Sequence, residues 1–338
     1  MSDNDLKAKA NANIHCVAGT TLTQRESDPA YGEYRQRWDE QPASMQPGAF
    51  PLFLDLEVTN LCNLQCEFCA TTYFGPEVKR GFIDLNLVKK IINEGAANGL
   101  YGVKFNDRGE PLMHPDLAEM VRYAKSAGLI DVYFNTNALL LDEQKTKEIL
   151  EAGLDRISIS FEGHTSEVYE KYRIKSSYDK VVTNIRRFLE LRDAMAGEGP
   201  KIRIQTVRVE EMADEQGLKE YIAFWEPVAD EICVIDYKDE KDADNERLID
   251  HPYQWACPQL YQRMIVWWDG TILPCNEDDR GQLSLGNAHE LTIAEAWNSE
   301  ILQTLRQTHG AGNAHTVGAC NGCYLRDSEI KKLMKVNS

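Results

Sequence analysis

Three cysteines, Cys62, Cys66 and Cys69, fall within eight residues of the stretch TNLCNLQCEFCATT. A structural zinc site asks for four ligands, but the next cysteine along the chain is Cys233 and the cluster holds no histidine. A redox dithiol would use Cys66 and Cys69 and leave Cys62 over. A cubane iron–sulfur cluster is held by thiolates, usually four. Three thiolates therefore leave one iron open to a small molecule.

Four more cysteines lie towards the C-terminus: Cys257, Cys275, Cys320 and Cys323. Two separated thiols followed by a Cys-x2-Cys pair suit zinc as well as iron–sulfur. Cys233 sits in the apolar stretch EICVID, where a small buried thiol commonly packs, and Cys16 in the polar leader is expected to be incidental. With nine cysteines grouped this way, metal binding is expected ahead of structural disulfides in a reducing compartment.

Elements must hold these groups in place. Residues 1–48 read as a leader, partly irregular, with a helix near 31–39. Six strands follow, at 53–58, 101–107, 131–137, 156–161, 201–209 and 231–236, alternating with amphipathic helices. Alternation of this kind implies a parallel sheet with right-handed crossovers. Six repeats fall short of a closed barrel of eight, so the expected fold is α/β, a partial (β/α)6 TIM-type barrel. Functional groups of such barrels gather at the C-terminal strand ends, where the cysteine triplet falls. A charged connector then leads to a β-hairpin at MIVWWDGTILPC, a helix at LTIAEAWNSEILQTLRQT and a short terminal helix. The expected domains are 1–48, 49–240 and 241–338, with a boundary near 240–255.

Composition bounds the partners. No run of eighteen apolar residues exists to span a membrane, and the N-terminus lacks the apolar core of a secretion signal, so a cytoplasmic location is expected. A net charge of −17 without a Lys/Arg cluster repels a nucleic-acid backbone. A small polar substrate is expected, with no nucleic acid and no membrane.

Cys62-x3-Cys66-x2-Cys69, with Phe68 before the last cysteine, resembles the signature of the radical S-adenosylmethionine (SAM) family. The resemblance implies a SAM-binding 4Fe-4S cluster, whose open iron takes the amino and carboxylate groups of SAM, and reductive cleavage to a 5′-deoxyadenosyl radical. RGEP (108–111) resembles the family's Gly-Gly-Glu segment, which holds the SAM amino group; Gly109 and Glu110 match, but Arg108 stands in place of the first glycine. FNTNA (134–138), with Asn135, occupies the usual third-strand position. ISISFEG (157–163) is similar to the fourth-strand segment and implies Ser160 and Glu162 at the ribose or methionine end of SAM. Arg173 and Gln205 are further candidate SAM contacts.

The run C-x12-G-x4-C, then LGN, AEAW and C-x2-C, resembles the SPASM domain in its shortened, one-cluster "twitch" form. That implies Cys257, Cys275, Cys320 and Cys323 around an auxiliary 4Fe-4S cluster whose ligands are saturated. The spacing is similar to that of radical SAM enzymes acting on aminocyclitols and sugars, 2-deoxy-scyllo-inosamine dehydrogenase among them. By that resemblance the expected reaction is oxidation of a secondary alcohol, with one electron passed to the auxiliary cluster and a flavodoxin- or ferredoxin-type reductant upstream. Two rivals stand beside it: a radical epimerase with Cys233 as hydrogen donor, pointing into the barrel with Ile232 and Val234 towards the helices, and a peptide-modifying enzyme.

Overall fold

The computed structural model describes residues 14–19, 28–196, 198–235, 255 and 257–336. Its strands are β1 (Ile14–Gly19), β2 (Phe53–Leu56), β3 (Gly102–Lys104), β4 (Asp131–Thr136), β5 (Arg156–Ser160), β6 (Lys201–Val207), β7 (Glu231–Ile235), β8 (Arg263–Val266), β9 (Thr271–Leu273) and β10 (Gly286–Asn287). They form one sheet in the order β1-β7-β6-β5-β4-β3-β2-β8-β9-β10. From β2 to β7 each neighbouring pair is parallel, which is the expected partial barrel. The helices are α1 (Pro29–Ser44), α2 (Leu85–Ala97), α3 (Leu117–Ser126), α4 (Glu143–Glu151), α5 (Ser166–Tyr172), α6 (Tyr178–Asp193), α7 (Glu215–Trp225), α8 (Gln259–Gln262), α9 (Ile293–Trp297), α10 (Glu300–Gly310) and α11 (Tyr324–Val336).

Side-chain alternation along each strand sorts the two faces. Leu54, Val103, Val132, Ile157, Ile202 and Ile232 turn to one face and join the buried core with α2, α3, α4 and α6. The opposite, inner face is charged and paired. Lys104 and Arg263 both reach Asp55 Oδ2 at 3.2 Å, and Arg156 binds Asp131 bidentately at 2.7 and 2.8 Å. Below this layer Tyr34 and Trp38 of α1 pack edge-on and stacked against Phe53 and Tyr101, closing the N-terminal end of the barrel. Helix starts follow local chemistry: Asp84, Asp142, Ser177 and Asp214 each accept first-turn N–H groups.

The structure departs from the sequence expectations in four places. The leader is not merely irregular. Its helix runs from Pro29 to Ser44, and β1 pairs antiparallel with β7, placing Cys16 opposite Cys233. The expected hairpin forms as β8–β9, but β8 also pairs in parallel with β2, so the barrel sheet runs on into the C-terminal region. The helix expected across LTIAEAWNSEILQTLRQT is two helices, because Ser299 caps Leu302 N–H and starts α10 afresh. The helix α5, seven residues long, was not anticipated. The charged connector and most of the expected boundary at 240–255 lie outside the described residues.

Candidate active site

The loop after β2 carries the cysteine triplet and is tied down by its own polar residues. Thr59 Oγ1 donates to Gly81 O at 2.6 Å, Asn60 Nδ2 to Lys79 O at 2.8 Å, and Gln65 N to Ile174 O at 3.1 Å. Each thiol meets a polar partner. Leu64 N lies 3.4 Å from Cys62 Sγ, Arg173 Nη1 3.7 Å from Cys66 Sγ, and Cys69 Sγ 3.0 Å from Thr71 Oγ1. All three are free thiols. Burial pushes Cys62 up to about 11 and raises Cys66 against the pull of Arg173. Thiols held this way ionise when a metal supplies the compensating charge.

They open onto one cavity of about 430 Å³ at the C-terminal strand ends. Every residue that the SAM resemblance singled out lines it: Phe68, Gly109, Glu110, Asn135, Ser160, Glu162, Arg173 and Gln205. Gly109 sits at φ +73°, and a β-carbon there would collide with the Thr59 carbonyl oxygen, so the backbone needs glycine. Glu110 is buried; Oε1 accepts from Thr136 Oγ1 at 2.7 Å and Leu112 N at 3.1 Å, and Oε2 from Asn137 N at 2.8 Å. Burial raises its pKa, and these donors oppose the rise. Glu162 and Arg173 form a bidentate pair, and the guanidinium lies 5.3 Å from the Phe68 ring. The donor set fits a thiolate-held cluster with a polar small molecule beside it: three free thiols on one wall, carboxylates and amide groups on the others.

The second thiol group lies in the C-terminal region. Cys257, Cys275, Cys320 and Cys323 form no disulfide among the described residues. Burial raises Cys257 and Cys275 well above the ordinary thiol range and pushes Cys320 up to about 12. Mutual repulsion adds to this, since Cys257 feels each of the other three. Four crowded thiols, one buried and three partly buried, fit a metal or cluster that all four ligate.

Arg108, the departure from the double glycine, joins the two regions. Its guanidinium pairs with Glu57 through Nε and Nη2 (2.9 Å to Oε1), donates from Nη1 to Asp279 O at 3.2 Å, and lies 3.5 Å from the Trp267 ring. Trp267 Nε1 in turn donates to Asp107 Oδ2 at 3.0 Å. Glu94 Oε1 and Oε2 accept the first N–H groups of α9, at 2.8 and 3.0 Å. Sequence reading missed Asp107 and Trp267 altogether; the replacement of glycine by Arg108 was the available signal.

Cys233 shares the face of Gln205, its register partner, and lies two residues before the cavity-lining Ile235. It is fully buried and forms a disulfide with Cys16. Cys16, expected to be incidental, is thus engaged, because β1 lies against the β7 edge.

The Radical SAM superfamily model matches residues 56–213, and the iron-sulfur cluster-binding domain model, SPASM, matches residues 257–324. A tungsten-containing aldehyde ferredoxin oxidoreductase cofactor-modifying protein of Pyrococcus furiosus is 23% identical over 332 residues, 82% of this chain and 88% of that protein. Shorter curated matches at 28–35% identity span 31–45% of those proteins. BtrN, solved in complex with AdoMet and 2-DOIA, superposes with a TM-score of 0.54 at 17% identity, covering 81% of this chain and 92% of BtrN. Streptococcus suis SuiB bound to precursor peptide SuiA gives 0.64 at 15% identity, covering 87% of this chain and 80% of SuiB. At these identities the two structures speak for the fold.

Proposed function

From a chain that joins a radical SAM domain to a SPASM iron–sulfur domain, we propose an enzyme that oxidises a secondary alcohol on a small polar, carbohydrate-like molecule. The two domains take a SAM-binding 4Fe-4S cluster and an auxiliary cluster. In this reading Cys62, Cys66 and Cys69 hold the first, and Cys257, Cys275, Cys320 and Cys323 hold the second. When bound, the first cluster and SAM supply a 5′-deoxyadenosyl radical that removes a hydrogen atom from the substrate.

The chain's own residues do the rest. Glu110 meets the SAM amino group, Ser160 and Glu162 the ribose or methionine end, and Phe68, Gly109, Asn135, Arg173 and Gln205 complete the cradle. The observation that carries the alcohol-oxidation reading is the join between Arg108, Trp267 and Asp279. It ties the cavity wall to the segment that carries Cys275, which favours a reaction whose second electron leaves through the auxiliary cluster. A flavodoxin- or ferredoxin-type reductant and a cytoplasmic location complete the reading; among the described residues no helix is long and apolar enough to cross a membrane.

The epimerase reading draws on Cys233, which faces the cavity side of β7 and would serve only with its disulfide reduced. A peptide substrate is the third possibility. One experiment separates the three. The anaerobically reconstituted enzyme is given candidate polyols and aminocyclitols in deuterated water, with products weighed by mass spectrometry. Oxidation yields a ketone two hydrogens lighter. An epimer of unchanged hydrogen count that carries solvent deuterium supports the epimerase, and turnover of peptides alone overturns the proposal.

A further inference from the structure

The cavity wall carries a carboxylate that the SAM cradle does not use. Asp107 lies between Asn106 and Arg108, and all three line the cavity. Its Oδ2 accepts from Trp267 Nε1 at 3.0 Å, and its Oδ1 takes no hydrogen bond from the described residues. The other cavity carboxylates are committed, Glu110 to three donors and Glu162 to Arg173. The groups around Asp107 are Asp55 from β2, Glu57 just after it, Lys104 from β3, Arg108 beside it and Trp267 from the hairpin. Arg108 neutralises Glu57, while Lys104 and Arg263 share Asp55. Asp107 is left with one oxygen free, on the side of the cavity that adjoins the SPASM hairpin.

We propose that Asp107 is the base that takes the hydroxyl proton of the substrate as its carbinol carbon is oxidised. The assignment rests on the alcohol-oxidation reading. The step balances: the carbinol carbon gives its hydrogen atom to the adenosyl radical, the oxygen gives its proton to Asp107, one electron leaves for the auxiliary cluster, and C–O becomes C=O. Burial, followed by repulsion from Glu57, lifts the Asp107 carboxyl to about 7, with Lys104 and the Trp267 hydrogen bond opposing. A base acts best when its pKa lies near the working pH.

The test uses the holoenzyme with both clusters reconstituted, together with Asp107→Asn, whose amide oxygen can still accept from Trp267. Infrared difference spectra read the carboxyl directly from about pH 5 to about pH 9. The wild type should lose a protonated-carboxyl band with a midpoint at about 7, and Asp107→Asn should lack that band. A carboxyl that stays ionised across the range overturns the assignment without reference to any substrate.

Turnover is read with 2-deoxy-scyllo-inosamine deuterated at the carbinol carbon. Asp107→Asn should form ketone about 100-fold more slowly or worse, while deuterium still reaches 5′-deoxyadenosine. The rising limb of the wild-type pH–rate profile should vanish in the variant. Unchanged ketone formation with an unchanged profile overturns the base. If the wild type moves no deuterium from this probe, the alcohol-oxidation reading fails and the proposal falls with it, whereas the infrared result still reports where the carboxyl titrates.

Discussion

At the mouth of the barrel, Cys62, Cys66 and Cys69 face a polar cavity walled by Glu110, Arg173 and Asp107. In the C-terminal region, Cys257, Cys275, Cys320 and Cys323 crowd one another, and burial dominates the environment of the first two. The donor atom is the same in both places. What differs is the missing ligand and what stands where it would be: in one case room for a small molecule, in the other a fourth thiol. In the proposed reading, the difference separates a centre that binds and breaks a cofactor from one that accepts an electron.

The largest expected effect comes from breaking the open centre. Cys62→Ala should abolish 5′-deoxyadenosine production, followed by chromatography under reducing conditions; undiminished production would erase the distinction. Breaking the closed centre should do something different. Cys275→Ala should lower iron and sulfide from about eight to about four of each per chain, retain SAM cleavage and lose ketone formation. Zinc without sulfide in the wild type would remove the comparison altogether.

Next in size is the join between the two centres. Arg108→Gly restores the glycine of the family segment but leaves the buried Glu57 carboxylate without its cation. A buried pair broken from one side costs about 3–5 kcal/mol, readable by urea denaturation of the wild type and the variant. A loss within experimental error would show that Arg108 does not hold the two regions together. The smallest effect is expected at the far edge of the sheet. Cys233→Ala should keep SAM cleavage and ketone formation, and full product from the variant would eliminate the epimerase reading.

Much of this was legible in the chain. The helix-facing residues of β2 to β7 are β-branched or leucine apart from Phe134, and the caps Asp84 and Ser177 announce their helices. The cysteine triplet could be found from local spacing, and Gly109 from the resemblance of RGEP to a Gly-Gly-Glu segment. What escaped depends on long-range pairing. β1 lies in a polar leader and is a strand because β7 offers it an edge more than two hundred residues away. The parallel pairing of β8 with β2 likewise leaves no local trace. Asp107 and Trp267 look ordinary in the sequence, a carboxylate after a strand and an aromatic beside a turn. Only the sheet brings them to 3.0 Å.

The pairing of β8 with β2 gives the C-terminal region a fixed phase as well as a position. Leu54 aligns with Met264 and Leu56 with Val266, and Trp267 follows as the next residue. A one-residue slip along a strand exchanges its two faces. A single insertion within β8 would therefore point the indole away from Asp107 and cut the link between the barrel and the C-terminal region, even if every cysteine kept its place. In the proposed oxidation, spacing along this one strand would then set how far the electron has to travel.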